Sequence, residues 1–334
     1  MANTNRNIVV IGTSAGGLEA LDKLVGQLPL GIPASIFIVQ HMGPETTAAA
    51  LMATLGKYRA FDCKLAANGD RFQSQRVYVC PPDYHLLIKK NHLLVSKGAR
   101  ENRYRPGIDP LFRSAAATYG SRVIGVLLTG MLDDGTAGLI AVKKCGGVTV
   151  VQDPSDAAYP DMPRNALHNA PVDYCVPLSE MGFLLKKLTH EHASRNKRVP
   201  TDIKTEALTA ERVLSDVAQV STLGDQVPYN CPNCGGVLWK IATTKSLRFR
   251  CHTGHSYTAN ALLTGQNEKV EETLWASLRM FEERKNLLNT MAANESSPII
   301  KRTYVERAKE SEGHTARIRT MLQAPPPAVE SPKK

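Results

Sequence analysis

The sequence predicts an α/β protein whose main body is a doubly wound, mostly parallel sheet. Three observations predict it. Short continuous apolar runs at residues 8–11, 34–40 and 123–130 have the length of strands buried in a sheet. Each run ends in a turn that carries glycine: Gly12-Thr13-Ser14-Ala15-Gly16-Gly17, His41-Met42-Gly43-Pro44 and Met131-Leu132-Asp133-Asp134-Gly135. Each turn is followed by a helical stretch, as parallel neighbours require. The first helix starts near Leu18. The second opens at Pro44-Glu45-Thr46-Thr47, with proline in its first turn, and runs to about Gly56. The third starts around Thr136 and stops at Gly146-Gly147.

The first turn carries the sharpest chemical signal. A strand, a Gly-x-Ser-x-Gly turn and a helix start form the layout that lifts a serine hydroxyl out of a strained bend. Glycines tolerate that backbone, and amides at the helix start face the charge that develops beside an attacking Ser14 oxygen. A dinucleotide-cradling loop is the competing reading. It needs glycine where Ser14 stands and an acidic residue where Gln40-His41 ends the second run. A structural turn without chemistry is the third.

His41 stands at the carboxyl end of the second run and Asp134 beyond the end of the third. In an open parallel sheet these ends line one edge, and sites form there. Serine, histidine and aspartate from three strand ends meet the needs of a nucleophile, a base and an orienting group. Taken singly, a histidine is usually a surface or satisfied residue, and Asp before Gly a turn or cap. Their joint placement favours the triad.

The order Ser, His, Asp differs from that of the α/β-hydrolases. Four ordered segments instead resemble the catalytic domain of bacterial chemotaxis protein-glutamate methylesterases, the CheB family. They are residues 11–17, Val39-Gln40-His41-Met42, residues 105–114 and residues 127–135, and the resemblance covers about residues 5–190. It implies a methylesterase-like fold and a triad of Ser14, His41 and Asp134, with Met131 beside the site. It also implies hydrolysis of glutamyl methyl esters on chemoreceptors or related signalling proteins, with release of methanol and no catalytic cofactor. Deamidation of glutamine side chains is a second implied activity. Amides near Ala15 and Met131 are the candidate oxyanion donors.

The sequence also departs from that family. Leu132 replaces a usual glycine. Asp133 adds a second carboxylate, so the choice of Asp134 rests on the resemblance. Cys80-Pro81-Pro82-Asp83 stands where the family tends to carry Ala-Pro-Gly. The sequence opens almost directly on its first predicted strand, so the phosphoacceptor receiver domain of the chemotaxis branch is not expected.

The chain has 334 residues, and a first domain near 190 leaves about 140 for other modules. No apolar stretch reaches about 18 residues and the amino terminus lacks a signal-like core, so no transmembrane segment and a cytoplasmic location are expected. Seven cysteines without an export signal argue against a disulfide framework. Residues 191–227 begin with a basic, polar stretch without apolar periodicity and read as a linker. An esterase domain that folds and works without the C-terminal modules is therefore expected. Residues 228–262 hold Cys231-Pro232-Asn233-Cys234 and, after a sixteen-residue gap, Cys251-His252-Thr253-Gly254-His255. Two such knuckles aim four ligands at one centre, so Cys231, Cys234, Cys251 and His255 are predicted to hold a structural zinc ion in a zinc-ribbon-like module. His252 is the alternative fourth ligand, and free thiols without metal are the bland reading.

Helical periodicity over residues 268–322, broken at Asn294–Pro298, predicts a helical hairpin that packs on the zinc module or makes a partner or dimer contact. A proline-rich tail, 323–334, is expected to be disordered. The net charge of +10, from 41 basic against 31 acidic residues, suits acidic protein surfaces as well as nucleic acid. Without aromatics interleaved in the basic linker, nucleic acid ranks second. The sequence thus supports a protein-glutamate methylesterase-like serine hydrolase. The alternative is a non-enzymatic scaffold in which the triad is vestigial.

Overall fold

The computed structural model describes residues 5–43, 45–58, 61–194, 198–211, 217–241 and 247–323. It divides into two units, Met1–Leu262 and Leu263–Lys334.

The first unit runs β1 (Ile8–Thr13), α1 (Gly17–Gln27), β2 (Ser35–Gln40), α2 (Ala49–Gly56), β3 (Asp62–Leu65) and β4 (Arg76–Val79). A hairpin of β5 (His85–Lys89) and β6 (His92–Ser96) precedes α3 (Ile108–Tyr119). Then come β7 (Val123–Leu127), α4 (Thr136–Lys144), β8 (Val148–Gln152), α5 (Asp161–Asn169), β9 (Tyr174–Val176) and α6 (Leu178–His190). Seven strands form one sheet in the order β3-β4-β2-β1-β7-β8-β9, and every pairing is parallel.

Strand periodicity explains the two layers around this sheet. Along β1, Ile8 and Val10 enter one apolar cluster while Val9 and Ile11 enter the other. Phe37 and Val39 of β2 join the first, and Ile36 and Ile38 the second. A strand buried on both faces needs no polar alternation, which is why these segments read as unbroken apolar runs. The first cluster is closed by α3, α4 and α5, the second by α1, α2 and α6. From β1 the chain winds outward to β2, β4 and β3, then returns to place β7, β8 and β9 on the other side of β1. The carboxyl ends of β1, β2 and β7 therefore meet where the winding reverses, the place at which open parallel sheets bind ligands.

Three boundaries differ from the sequence-based expectation. Helix α2 begins at Ala49, after a turn through residues 45–48. More consequentially, residues 191–227 are not a plain linker. They contain α7 (Thr201–Glu211), which packs on α3, and the short α8 (Val217–Ser221). Ile203, Ala207 and Ala210 give α7 a narrow buried stripe, and Ile203 joins the first core cluster. Its Glu206 is also buried, held by Arg113, Arg248 and Arg250. A stripe of small residues plus a paired charge leaves almost no apolar periodicity, so the segment reads as solvated.

The unit ends in a four-stranded antiparallel sheet of β10 (Gly224–Asn230), β11 (Val237–Ile241), β12 (Arg248–Cys251) and β13 (Ser256–Thr258). Its small core is Leu238, Phe249, Tyr257, Ala261 and Leu262 around Cys231 and Cys251. This sheet belongs to the same unit as the parallel sheet, through a buried ion network. Arg113 of α3 contacts Glu101 at 2.6 Å and Glu206 at 3.4 Å, and Arg250 of β12 contacts Glu101 at 3.0 Å. The network thus packs the cysteine-bearing sheet and the parallel sheet together within the first unit.

Helix α9 (Ala259–Asn294) starts earlier than the expected 268 and carries the chain into the second unit, where α10 (Pro298–Gln323) follows. Within that unit Phe281 stacks on His314 and Arg319 pairs with Glu282 at 3.0 Å, which makes the two helices a hairpin. The expected disordered tail falls, from residue 324 on, outside the described residues. No helix among the described residues is long and apolar enough to cross a membrane.

Candidate functional site

Ser14 follows β1 directly, His41 follows β2 directly, and Asp134 lies in the loop between β7 and α4. The close approach of these loops depends on glycine. A Cβ on Gly130 would lie 2.4 Å from the Met162 sulfur and 2.8 Å from Ser14 Cβ. Gly16, at φ +74°, turns the chain from Ser14 into α1. The Ser14 amide donates to the Thr129 carbonyl at 3.0 Å, and Gln40 Nε2 donates to the Ser14 carbonyl at 2.8 Å. The serine is thus tied to both neighbouring strand ends.

The imidazole of His41 bridges the other two residues. Its Nδ1 lies 3.2 Å from Ser14 Oγ and its Nε2 lies 2.8 Å from Asp134 Oδ2. In the tautomer these contacts fit, Nε2–H donates to the carboxylate and Nδ1 accepts from the serine hydroxyl. Asp134 is fully buried, and its two oxygens are surrounded by donors. Oδ2 also accepts from the Ile108 amide at 2.7 Å. Oδ1 accepts from Asn102 Nδ2 at 2.9 Å, the Gly135 amide at 3.0 Å and the Asp109 amide at 3.3 Å. Burial alone would raise its pKa, but the His41 contact and these donors prevail and bring it down to about 2. The carboxylate stays ionised and its rotamer is locked. Asp133 is also buried, with an unpartnered Oδ1, and burial raises its pKa. Of the two adjacent carboxylates, Asp134 meets the histidine.

Several side chains at the site escaped the sequence reading. The Tyr104 ring stacks on His41, with centroids 3.8 Å apart and planes within 12°. Asp109, in the first turn of α3, is fully buried; burial first, then the Asp134 charge, push its pKa up to about 7. Asp83 receives Arg105 at 2.7 and 2.9 Å and is held below the usual carboxylate range, first by the Lys97 contact and also by Arg105, burial opposing. Its loop is the one that departs from Ala-Pro-Gly. The signal for Tyr104 and Asp109 was their position just before and inside the Arg105–Ser114 motif, and for Asp83 its place in the departing loop. Together Ser14, His41, Met42, Gly43, Arg100, Arg103, Tyr104 and Arg105 line a cavity of about 270 Å³. Its rim is rich in arginine, a surface suited to acidic substrates.

Leu132, the residue in place of a glycine, has φ +66°, a left-handed conformation that glycine adopts freely. Asn165 Nδ2 fastens this turn by donating to the Leu132 carbonyl at 2.7 Å.

The two cysteine-bearing turns converge at a second site. Cys231 and Cys234 lie between β10 and β11, where the Gly235 amide donates to the Cys231 carbonyl at 2.8 Å. Cys251 ends β12, and His255 precedes β13. Cys234 Sγ lies 3.7 Å from Cys251 Sγ, and Cys251 Sγ lies 3.5 Å from His255 Nδ1. Donor atoms of all four residues fall within 4.8 Å of one another. Thiolate and imidazole ligands around one tetrahedral centre stand about 3.4–3.8 Å apart, so the group is shaped to hold a metal ion. His252 lies outside this group, edge-on to Trp239. Tyr257 Oη, 3.1 Å from Cys231 Sγ, supplies an outer contact of the kind that orients metal ligands.

Comparison with known proteins agrees with the geometry. The family profile of the CheB methylesterases matches residues 9–185. A protein-glutamate methylesterase/protein-glutamine glutaminase of Xanthomonas euvesicatoria is 40% identical over 185 residues, 54% of this chain and 52% of that one. One from Methanosarcina mazei is 38% identical over 191 residues, covering 55% and 52%. The chain thus spans about half the length of these relatives. A Leptospira interrogans relative named for the same two activities is 40% identical over 185 residues, 55% of this chain and 95% of that protein. Among solved structures, the Thermotoga maritima CheB methylesterase catalytic domain matches with a TM-score of 0.53 and 34% identity, covering 55% of this chain and all of that one. The matching region holds Ser14, His41 and Asp134 and stops before α7 and the cysteine-bearing sheet. The chain belongs to the CheB methylesterase family.

Proposed function

We propose that this protein is a serine hydrolase that removes methyl groups from glutamyl methyl esters on a chemoreceptor or related signalling protein. The observation that carries the reading is the continuous hydrogen-bonded line from Ser14 Oγ through His41 to buried Asp134. In this mechanism His41 Nδ1 takes the Ser14 proton as Oγ attacks the ester carbonyl. The Asp134 carboxylate fixes the tautomer and stabilises the imidazolium that forms. Amides near Ala15 and Met131 are the candidate donors to the oxyanion. His41 then returns the proton to the departing methoxide, and methanol leaves. Water, activated by the same histidine, hydrolyses the acyl-enzyme.

The arginines at the cavity rim favour an acidic segment around the ester. The names of the relatives support deamidation of glutamine at the same serine as a second activity. Structural zinc is the metal that the donor set of Cys231, Cys234, Cys251 and His255 fits best, two knuckles supplying three thiolates and one imidazole. The same reading puts the protein in the cytoplasm, where metal-ligating thiols stay reduced. The test is methanol release from a glutamyl methyl ester peptide with acidic flanks, alongside ammonia release from the glutamine peptide of the same sequence. Methanol release above the uncatalysed rate supports the reading. Its absence with intact, folded, zinc-loaded protein favours the scaffold alternative.

A further inference from the structure

Asn102 has every polar group of its side chain engaged, and its partners come from two different parts of the fold. Its Nδ2 donates to Asp134 Oδ1 at 2.9 Å and to Asp109 Oδ2 at 3.0 Å. Its Oδ1 accepts the Thr258 amide at 3.0 Å, and its own backbone amide donates to the Ser256 carbonyl at 2.7 Å. One side of this residue holds the triad aspartate; the other side is held by β13, which lies more than a hundred residues further along the chain. The assignment of the amide is unambiguous, because only its oxygen can receive the Thr258 N–H and only its nitrogen can serve two carboxylates.

The backbone around Asn102 is under constraint. Asn102 and Arg103 both have positive φ, +49° and +75°. Two successive residues with side chains hold such a conformation only where their surroundings over-determine it. The surroundings here are the cysteine-bearing sheet. Glu101, on one side, is gripped by Arg250 of β12, and Arg250 also donates to the Gly254 carbonyl at 3.0 Å. Tyr104, two residues on, stacks over His41. Arg250 is the neighbour of Cys251, Gly254 and Ser256 flank His255, and Thr258 follows three residues after it, so these contacts stand one to three residues from a predicted metal ligand.

We propose that Asn102 is a positioning residue for Asp134, and that the metal site, acting through β12 and β13, holds the Asn102–Tyr104 segment in its working conformation. The inference rests on the reading of Ser14, His41 and Asp134 as a triad. A sheet whose core is a handful of side chains depends on its metal for order. When the metal leaves, Ser256 and Thr258 lose their fixed places and Asn102 swings free. Asp134 then loses the Asn102 donor on the oxygen that faces away from His41, keeping only the Gly135 and Asp109 amides there, and Tyr104 loses its seat over the imidazole. The site thereby couples esterase rate to metal occupancy.

The test uses the full zinc-loaded chain, an active-site phosphonate that labels Ser14, and kcat and KM for a small glutamyl methyl ester across pH. Asn102→Ala is expected to lower kcat about 10- to 100-fold with KM nearly unchanged, the usual scale for losing a hydrogen bond to a charged group. The acid limb of its pH profile moves to higher pH, because an Asp134 deprived of a donor is protonated more easily. A merely structural role would not move that limb. Removal of zinc by a chelator, or Cys234→Ser, gives a loss of similar size. Zinc re-addition restores the wild type but not Asn102→Ala, and metal removal adds little to the loss already caused by Asn102→Ala. Wild-type kcat in folded, metal-free protein, or losses that simply multiply, would overturn the coupling. Should the metal-free chain unfold, zinc-loaded Asn102→Ala decides: an unchanged kcat and pH profile overturns the proposal. If zinc-loaded wild type neither hydrolyses the ester nor takes the label at Ser14, the triad reading itself fails instead.

Discussion

The Glu206 carboxylate of α7 and the Arg248 guanidinium of β12 form a two-point pair, at 2.8 and 3.3 Å, across 42 residues of sequence. Both groups are buried. Arg113 and Arg250 complete the cluster with Glu101, so three guanidiniums and two carboxylates share one interior site. This cluster ties α3, α7 and the cysteine-bearing sheet together. Removing one member of a buried ion set strands its partners without water.

Glu206→Ala is accordingly expected to cost about 3–5 kcal/mol of stability, read as a lowered denaturant midpoint. Truncation near Ser194, which removes Glu206, Arg248 and Arg250 together, should leave Glu101 and Arg113 only each other and expose the α3 face to water. That fragment is expected to lose cooperative unfolding. A truncated protein as stable as the full chain would show that the network is dispensable.

Leu132→Gly is expected to stabilise the protein by about 1 kcal/mol, because Leu132 holds a left-handed backbone that glycine adopts without penalty. The Asn165 bond to its carbonyl does not depend on the side chain. A rise in thermal midpoint without loss of ester hydrolysis checks this. A fall would mean that Leu132 side-chain packing outweighs the strain.

The pH dependence of stability reflects two carboxylates with opposite shifts. Asp109 is raised from 3.8 to about 7, so the folded state holds a proton that the unfolded chain releases. Its contribution is complete below about pH 4 and is lost as pH rises through about 7. Asp134 is lowered to about 2, so its contribution is present above about pH 4 and lost as pH falls toward 2. Unfolding free energy should therefore decline between about pH 4 and about pH 7, and Asp109→Asn should flatten that decline. An unchanged slope in the variant would assign the effect to another group.

The parallel sheet and its strand ends were legible because they rest on local patterns. A doubly buried strand is an apolar run, and the turn after it must contain the residues that allow a sharp bend. Ser14, His41 and Asp134 stand out for that reason. The cysteine knuckles were legible from spacing alone, since two residues between ligands set the turn. Asn102 was not. Its role depends on a left-handed turn with no sequence signature and on backbone groups of Ser256 and Thr258 that arrive from far along the chain. Helix α7 was missed for a related cause. Glu206 looks solvent-facing until Arg113, Arg248 and Arg250 surround it, and no local window contains them. Tyr104 sits one residue before a recognisable motif, yet only the fold lays its ring on His41.

The central claim is that Ser14 attacks the ester and that His41 and Asp134 act with it as a unit. The most direct measurement is kcat for methanol release from a glutamyl methyl ester peptide by the zinc-loaded wild type, by Ser14→Ala, His41→Ala and Asp134→Asn, and by the Ser14→Ala/His41→Ala double variant. Each single change is expected to cost about 10⁴-fold or more, and the double variant no more than the worse of its two parents. Asp133→Asn, whose side chain does not meet the histidine, should cost far less. Methanol release by Ser14→Ala at the wild-type rate, or multiplying losses in the double variant, would contradict the account.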